Sequence, residues 1–131
     1  MKRKSTLRVM QLKDAPFQRP RPGYGRKVLC DESTPTDSLI SGFIVMDPGE
    51  ELALHYHDIE ELQFIVYGDG TVGDIDGREH PVSAGSFLYC PPGVDGAHSF
   101  KNTGDLPMAF IFVYPSPGGR SPPVRWVERG D

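Results

Sequence analysis

Two histidines stand two positions apart near the middle of the chain, His55 and His57, in the stretch LALHYHDIEEL. Residues two apart in a β-strand point to the same face, so these imidazoles project together. Glu61 follows four positions later, across a short corner, and His98 comes after the turn formed by residues 91–93. Three imidazoles and one carboxylate form a coherent ligand set for a divalent transition metal. These four residues are therefore the predicted metal ligands.

The ligand types do not choose among Fe, Mn, Ni, Co and Zn. Four protein ligands leave two positions of an octahedral metal open, which suits a substrate with a carboxylate, hydroxyl or keto oxygen. The metal would then polarise a carbonyl group, or, as Fe(II), take O2 beside the substrate. No cysteine belongs to the predicted set, which disfavours a structural zinc site of the cysteine type.

Short strands must position these residues. The chain has 131 residues, the length of one domain, with 15 glycines and 13 prolines that favour tight turns. No helical periodicity persists over the length of a helix, and the dipeptide Asp76-Gly77 is typical of a hairpin turn. The predicted fold class is all-β, an antiparallel sandwich or barrel. Strands are predicted within residues 27–32, 38–47, 52–57, 61–68, 70–82, 85–93 and 97–115, and the tail has room for one more at Val124–Val127.

Charge is distributed unevenly along the chain. Residues 1–29 contain nine Lys or Arg and one Asp, a net charge of +8, whereas residues 30–131 contain five Lys or Arg and 17 acids, a net charge of −12. No aromatic interleaving or nucleic-acid motif accompanies the basic segment, so no nucleic-acid partner is predicted. We expect a basic arm and lead-in (1–29) that lies on an acidic body, its own or that of a second copy in a homodimer. The barrel is expected at 30–115 and the tail at 116–131.

The remaining composition indicates a cytoplasmic protein without a membrane segment. No apolar run approaches the roughly 20 residues that a membrane span needs, and no apolar stretch of signal-peptide length follows the basic N-terminus. The two cysteines, Cys30 and Cys90, are a poor disulfide framework and are expected to be buried free thiols.

The spacing of the ligands resembles that of the cupins. Their first motif, G-x5-H-x-H-x3,4-E-x6-G, is matched without a gap by Gly49, His55, His57, Glu61 and Gly68. Their second, G-x5-P-x-G-x2-H-x3-N, is matched by Gly85, Pro91, Gly93, His98 and Asn102, with four residues instead of two between Gly93 and His98. The resemblance covers residues 38–115. It implies a double-stranded β-helix, or jelly-roll barrel, with one divalent transition metal in its mouth and a small-molecule substrate.

Two further residues are candidates for a catalytic role. Gln63 shares a strand face with Glu61, Ile65 and Tyr67 if that strand is regular, and it could orient a substrate oxygen; a hydrogen bond within the barrel wall is the alternative. Tyr114 could line the mouth of the barrel, with core packing as the alternative. The next strand, 87–90, places Phe87 and Tyr89 on one face and Leu88 and Cys90 on the other, and the sequence does not decide which face points inward.

The chain length and the pattern LHYH…E also resemble the cupin lyases that cleave dimethylsulfoniopropionate. Those enzymes place a tyrosine two residues after the metal glutamate and another near the C-terminus, where this chain has Gln63 and Trp126. Without those phenols the same elimination route is not expected. The predicted function is a metal-dependent enzyme acting on a small oxygenated organic molecule, as a dioxygenase or as a lyase or isomerase through an enolate. The alternative is a metal-dependent binding protein without turnover.

Overall fold

The computed structural model describes residues 2–31, 36, 38–117 and 120–128, and in these residues it contains β-strands and two short 3₁₀ turns. The 3₁₀ turns are Leu12–Asp14 and Val94–Gly96, and neither is long enough to cross a membrane. The strands are β1 Phe17–Arg21, β2 Tyr24–Cys30, β3 Leu39–Met46, β4 Glu51–Tyr56, β5 Glu61–Tyr67, β6 Asp69–Asp74, β7 Glu79–Ser83, β8 Phe87–Cys90, β9 His98–Asn102, β10 Met108–Pro115 and β11 Arg125–Trp126.

The strands form two antiparallel sheets. One has the order β1-β2-β3-β10-β5-β8 and the other the order β11-β4-β9-β6-β7. Consecutive strands β4 and β5 belong to different sheets, as do β8 and β9, so the chain crosses repeatedly between them. This arrangement confirms the predicted all-β jelly roll. The hairpin predicted at Asp76-Gly77 joins β6 to β7, and the strand predicted in the tail is present as β11.

The core lies between the inner faces of the two sheets. Phe100 on β9 and Phe110 on β10 stack with their ring centroids 4.1 Å apart and join one sheet to the other. Met46, Ile65 and Met108 are also fully buried around them. Large apolar side chains on alternate positions of facing strands fill this space, and their burial is the main stabilising contribution to the barrel.

A bulge in β4 decides which way the paired histidines point. Leu52 pairs with Phe100 and His55 pairs with His98, so three steps along β4 match two steps along β9. The extra residue reverses the alternation of side chains. Leu52 and His55 therefore both face the interior, whereas a regular strand would have turned both histidines outward, opposite to Leu52.

A second bulge corrects one expectation about β5. Glu61, Gln63 and Ile65 share the inner face, as predicted, but Tyr67 is exposed. On β10 the neighbours Ala109 and Phe110 pair with Tyr67 and Ile65, so β5 contains one extra residue at this point. The expected alternation stops there, and Tyr67 is not part of the interior.

Motif glycines occupy positions where the backbone requires them. Gly68 has φ of +89°, and a Cβ atom there would lie 2.5 Å from Cα of Met108. Gly49 has φ of +84° but would meet no atom within 4 Å. The left-handed conformation, which disfavours other residues, is therefore the constraint at Gly49, whereas Gly68 is also limited by close packing.

The proline- and glycine-rich lead-in forms a hairpin of its own. Strands β1 and β2 pair with each other, and β2 pairs with β3, so residues 17–30 extend the larger sheet. Arg19 on β1 forms ion pairs of 3.1 Å with both Asp47 and Glu50. Residues 2–11 precede this hairpin and are exposed.

Candidate metal centre

The four predicted ligands lie together at one end of the barrel interior. His55, His57, Glu61 and His98 are between 4 and 8 % exposed. The ring centroid of His55 lies 4.5 Å from that of His98 and 5.6 Å from that of His57. Nε2 of His98 lies 3.3 Å from Oε1 of Glu61. His55 lies on β4 and His98 on β9, in one sheet, and His57 follows directly after β4; Glu61 lies on β5, in the other sheet.

All three imidazoles are oriented by backbone carbonyl groups. Nδ1 of His55 is 2.8 Å from the oxygen of Ala53, and Nδ1 of His98 is 2.9 Å from that of Gly96. Nδ1 of His57 is 3.2 Å from the oxygen of Pro123. A carbonyl oxygen only accepts hydrogen bonds, so each Nδ1 must be the donor. The neutral rings then keep a lone pair on Nε2, the arrangement that metal-ligating histidines use.

The carboxylate oxygen in this cluster lacks a donor. Oε1 of Glu61 is buried and, while His98 is neutral, accepts no hydrogen bond in the described part of the chain; a protonated Nε2 of His98, 3.3 Å away, would donate to it. Leaving a buried carboxylate oxygen unpaired costs several kcal/mol. A cation beside Glu61 would remove this cost.

The electrostatics of the neighbouring imidazoles agree with that interpretation. Burial opposes a charged His98, but its contacts with Cys90 and Glu61 outweigh burial and raise its pKa to about 10. A positive charge is therefore favoured next to Glu61. Burial and the charge of His98 lower the pKa of His55 to about 4, so His55 is neutral and its lone pair is available. Imidazole and carboxylate groups of this kind are ligand types that divalent transition metals accept.

Cys90 lies closer to this cluster than the sequence indicated. One potential ligand atom each from Glu61, Cys90 and His98 lie within 4.8 Å of one another. On β8, Cys90 and Leu88 face inward whereas Phe87 and Tyr89 face solvent, which answers the question that the sequence left open. Among the described residues, neither His55 nor His57 belongs to this close group. Cys90 is a buried free thiol, as predicted, whereas Cys30, which was also expected to be buried, is only partly buried.

Gln63 connects the thiol to the imidazole. It is only 3 % exposed, its Nε2 lies 3.3 Å from Nε2 of His98, and Sγ of Cys90 lies 3.8 Å from its Oε1. The amide oxygen accepts from the thiol, and the amide nitrogen can donate to Nε2 of His98 only where that atom carries no proton. Gln63 therefore lies against the ligands, on the side where Cys90 closes the interior.

A cavity of about 80 Å³ adjoins the ligands. His55, His57, Glu61 and Gln63 line it on one side. The rest of its lining is largely aromatic or aliphatic, with one cation: Tyr24, Arg26, Ile44, Leu52, Phe110, Phe112, Tyr114, Val124 and Trp126. A single water needs about 10–15 Å³ by this measure, so a molecule of several non-hydrogen atoms fits.

Tyr114 is both a wall of this cavity and a neighbour of the ligands. Its ring centroid lies 5.4 Å from that of His57 and 5.3 Å from that of Phe112, on which it stacks. Burial, and next the negative charge of Glu61, raise the pKa of Tyr114 well above its usual value. The phenol is therefore protonated near neutral pH and can donate a hydrogen bond.

The C-terminal segment closes the cavity. Strand β11 pairs with β4, and the Trp126 ring lies 5.2 Å from the His55 ring. The guanidinium of Arg21 stacks on the outer side of Trp126 at 3.9 Å, and Arg125 forms a 2.7 Å ion pair with Asp58. The sequence suggested a strand here but gave no sign that it would cover the ligands.

Three other polar residues lie outside the cavity. Tyr89 is 55 % exposed and donates a hydrogen bond to Glu60. His80 is exposed and lies 2.8 Å from Asp74. Asn102, the last residue of the second motif, is structural: its side chain donates to the carbonyl groups of Met46 and Leu106 and so fixes the end of β9.

The sequence and the fold of this chain are shared with known proteins. The family model described as "Cupin domain" matches residues 42–114. Protein SchB of Streptomyces halstedii is 34 % identical over 106 residues, covering 80 % of this chain and 75 % of that protein. Polyketide synthase CurC of Streptomyces cyaneus is also 34 % identical over 106 residues, covering 80 % of this chain and 67 % of that protein.

A solved structure has the same fold. The polyketide cyclase RemF from Streptomyces resistomycificus superposes with a TM-score of 0.81 and covers 96 % of this chain and 89 % of that one, at 21 % identity. At that identity the likeness shows the fold alone. The family match extends over more than half of the chain and includes each predicted ligand. The protein belongs to the cupin superfamily.

Proposed function

We propose that this cupin is a metal-dependent enzyme that polarises a carbonyl oxygen of a small organic molecule and promotes its enolisation. One observation supports this most directly. Three buried imidazoles, each with its Nδ1 on a backbone carbonyl, lie in the same region as the buried carboxylate of Glu61, and a cavity adjoins His55, His57 and Glu61.

His55, His57, Glu61 and His98 would hold the metal. A divalent cation at such a site supplies Lewis-acid polarisation of a carbonyl group. The chain itself contributes orientation. Backbone carbonyls fix the imidazole rings, and Glu61 compensates part of the positive charge. Cys90 is close enough to influence which metal is preferred, because a nearby thiol favours softer ions.

The other cavity residues would bind the substrate and exclude water. The protonated Tyr114 hydroxyl donates a hydrogen bond to a substrate oxygen. The amide of Gln63, which lies 3.3 Å from Nε2 of His98, offers a second polar contact to that oxygen. The rings of Phe112 and Trp126 cover an apolar part of the molecule, which strengthens each polar contact by lowering the local dielectric.

The residues that line the cavity and the names of two similar proteins indicate a substrate class. An aromatic lining suits a planar, conjugated molecule, and 1,3-dicarbonyl compounds are planar in their enol form. The names of CurC and RemF refer to polyketides, which contain repeated 1,3-dicarbonyl units. The cavity has room for only the reactive end of such a chain. We therefore propose an enolisable carbonyl compound with polyketide-like spacing of its oxygens.

The test uses metal-loaded protein and a simple carbonyl probe. Purified protein is loaded separately with Zn, Mn, Co, Ni and Fe(II), and exchange of the α-proton of a 1,3-diketone or a 2-oxo acid in D2O is followed by NMR at mildly acidic pD, where background exchange is slow. We expect one or more metal forms to accelerate exchange, and His57→Ala to remove the acceleration. His80→Ala, which alters only an exposed histidine, is the matched control.

Two other outcomes would replace this proposal. Substrate-dependent O2 uptake by the Fe(II) form without accelerated exchange would indicate a dioxygenase. Tight binding of the probe with neither exchange nor O2 uptake would indicate a binding protein without turnover. Both remain cupin functions, and both would use the same ligands.

We further propose that the protein is a homodimer. Side chains on the outer face of β5 and β8 form an apolar patch consisting of Leu62, Phe64, Val66, Phe87 and Tyr89, all at least 38 % exposed. Residues 2–11 are exposed too and include Leu7 and Val9 among several basic residues. The +8 segment and the −12 body favour a second copy as the partner.

A further inference from the structure

One polar side-chain atom of Arg26 has no hydrogen-bond partner among the described residues. It lies on β2 opposite Ile44 of the core, so its side chain starts on the inner face of the larger sheet. Nη2 donates a 3.2 Å hydrogen bond to Oε1 of Gln18. Nε is buried and makes no hydrogen bond within the described residues. Leaving a charged donor unpaired in this way is unfavourable.

The same side chain lines the cavity beside the predicted ligands. Arg26 and Tyr24, both on β2, line it together with Trp126. Arg26 also acts electrostatically on Tyr114. Burial and Glu61 raise the pKa of that phenol, and the charge of Arg26 opposes the increase. The guanidinium is thus close to the atoms that would contact a substrate.

An anionic ligand would also balance the positive charge of the cavity. Among the residues that line it, Glu61 is the acidic one, and Nε2 of His98 already lies 3.3 Å from its carboxylate. With a divalent cation bound, the cavity would hold a net positive charge at low dielectric. A negatively charged group on the ligand would neutralise part of this charge and would supply the acceptor that Nε lacks.

We propose that Arg26 binds a carboxylate group of the substrate. The substrates would then be small conjugated organic acids. The carboxylate accepts from Nε–H of Arg26, and the apolar part lies along Phe112 and Trp126. The reacting carbonyl then faces His55, His57 and Glu61. The inference depends on the proposed function only in taking this cavity as the substrate site. Anion binding by Arg26 needs no turnover.

The chain provides its own reporter for this binding. Trp126 is the single tryptophan of the chain and lines the cavity, so its fluorescence responds to a bound molecule. The probes are benzoate, a planar conjugated carboxylate, and benzamide, which has nearly the same shape and no charge. Each is titrated into the metal-loaded and the metal-free protein, and the ratio of the two dissociation constants is the measured quantity.

We expect the wild type to bind benzoate more tightly than benzamide. Arg26→Gln should weaken the binding of benzoate by on the order of 10–100-fold, as for loss of a charge-assisted contact. It should change the affinity for benzamide by less than about threefold. Arg26→Lys should lie between the two, because it keeps the charge and loses the planar donor group. Arg78→Gln, in the exposed β6–β7 hairpin, is the matched control and should change neither.

Several results would overturn the proposal. These are equal binding of benzoate and benzamide by the wild type, equal losses for both probes in Arg26→Gln, or binding of neither probe. If Arg26→Gln does not fold, as judged by circular dichroism and melting, then Arg26→Lys decides by the same ratio. Metal content and proton exchange are measured on the same samples. If the protein prefers benzoate in an Arg26-dependent way but does not accelerate proton exchange, Arg26 binds a carboxylate and the proposed function is wrong. If it accelerates exchange without that preference, the proposed function stands and the role of Arg26 is wrong.

Discussion

Nδ1 of His57 lies 3.2 Å from the carbonyl oxygen of Pro123, although the two residues are 66 positions apart in the sequence. Pro123 belongs to the segment that leads into β11, and β11 pairs with the strand that contributes His55. The C-terminal segment therefore fixes the orientation of one imidazole and covers another. It would therefore form part of the proposed metal centre.

Removing residues 122–131 should weaken metal binding while leaving the barrel folded. His57 would lose the acceptor that orients its ring, and Trp126 would no longer cover His55. Loss of such a supporting contact typically lowers metal affinity 10–100-fold. The measurement is the metal dissociation constant in competition with a chromogenic chelator. The control is Arg125→Gln, which breaks an exposed ion pair with Asp58 and keeps the carbonyl group, so affinity should barely change. Unchanged affinity in the truncated protein would contradict this role.

His57→Ala should remove most of the bound metal. The wild-type protein is expected to contain close to one divalent transition metal per chain. The variant lacks one of four ligands and leaves the charge of Glu61 less well compensated. Metal is quantified by mass spectrometry after gel filtration. His80→Ala should retain the wild-type content, because His80 is exposed and paired with Asp74. Full retention by His57→Ala would exclude it as a ligand.

Gln63→Leu should keep the metal and the fold but weaken ligand binding. Leucine has a similar volume and lacks both hydrogen-bonding groups, so His98 loses its amide contact while the barrel remains filled. We expect about 10–100-fold lower affinity or turnover. Metal content, melting temperature and binding of the probe that Trp126 reports are measured together. A collapse of metal content would make Gln63 an essential support of the ligands, and no change in any readout would leave it a residue of the barrel wall.

Ionisation of Tyr114 should make the folded protein less stable at alkaline pH. Burial and Glu61 raise its pKa in the folded protein, so above the unfolded pKa of about 10 the folded protein holds one proton more than the unfolded chain. The stabilisation is complete below that pH and is lost as pH rises toward the folded pKa. The free energy of unfolding should fall by up to about 1.4 kcal/mol per pH unit from this group. Urea unfolding of metal-free protein between pH about 9 and 11 measures the slope. Tyr114→Phe should have a shallower slope, and equal slopes would contradict the assignment.

Deleting residues 1–15 should shift the proposed dimer toward monomer. This removes a basic, exposed segment that would lie against the acidic body of a partner. High salt should weaken association of the full chain for the same reason, because it screens exposed charges. Sedimentation velocity at micromolar concentration gives the oligomeric state. A full-length protein that sediments as a monomer would refute the proposal. A deletion that leaves a stable dimer would assign the contact to the apolar patch on β5 and β8 instead.

Patterns of local chemistry were sufficient to predict the fold class and the family. The turn residues, the short apolar runs and the two spaced motifs predicted an all-β jelly roll of the cupin type, and this is confirmed. The two-residue repeat of a strand placed His55 and His57 together, and the same repeat put Gln63 beside Glu61. These relations depend only on neighbours along the chain, so the sequence contains them.

The direction in which those side chains point was decided by tertiary structure. The extra residue in β4 turns both histidines inward, and the one in β5 turns Tyr67 outward; a bulge becomes visible only when a strand is paired with its partner. The inward position of Cys90, the carbonyl of Pro123 on His57 and the unpaired Nε of Arg26 likewise depend on contacts between distant segments. Sequence spacing specifies which side chains share a face of one strand. Only the packing of sheet on sheet determines which face becomes the interior, because burial is a property of the whole barrel.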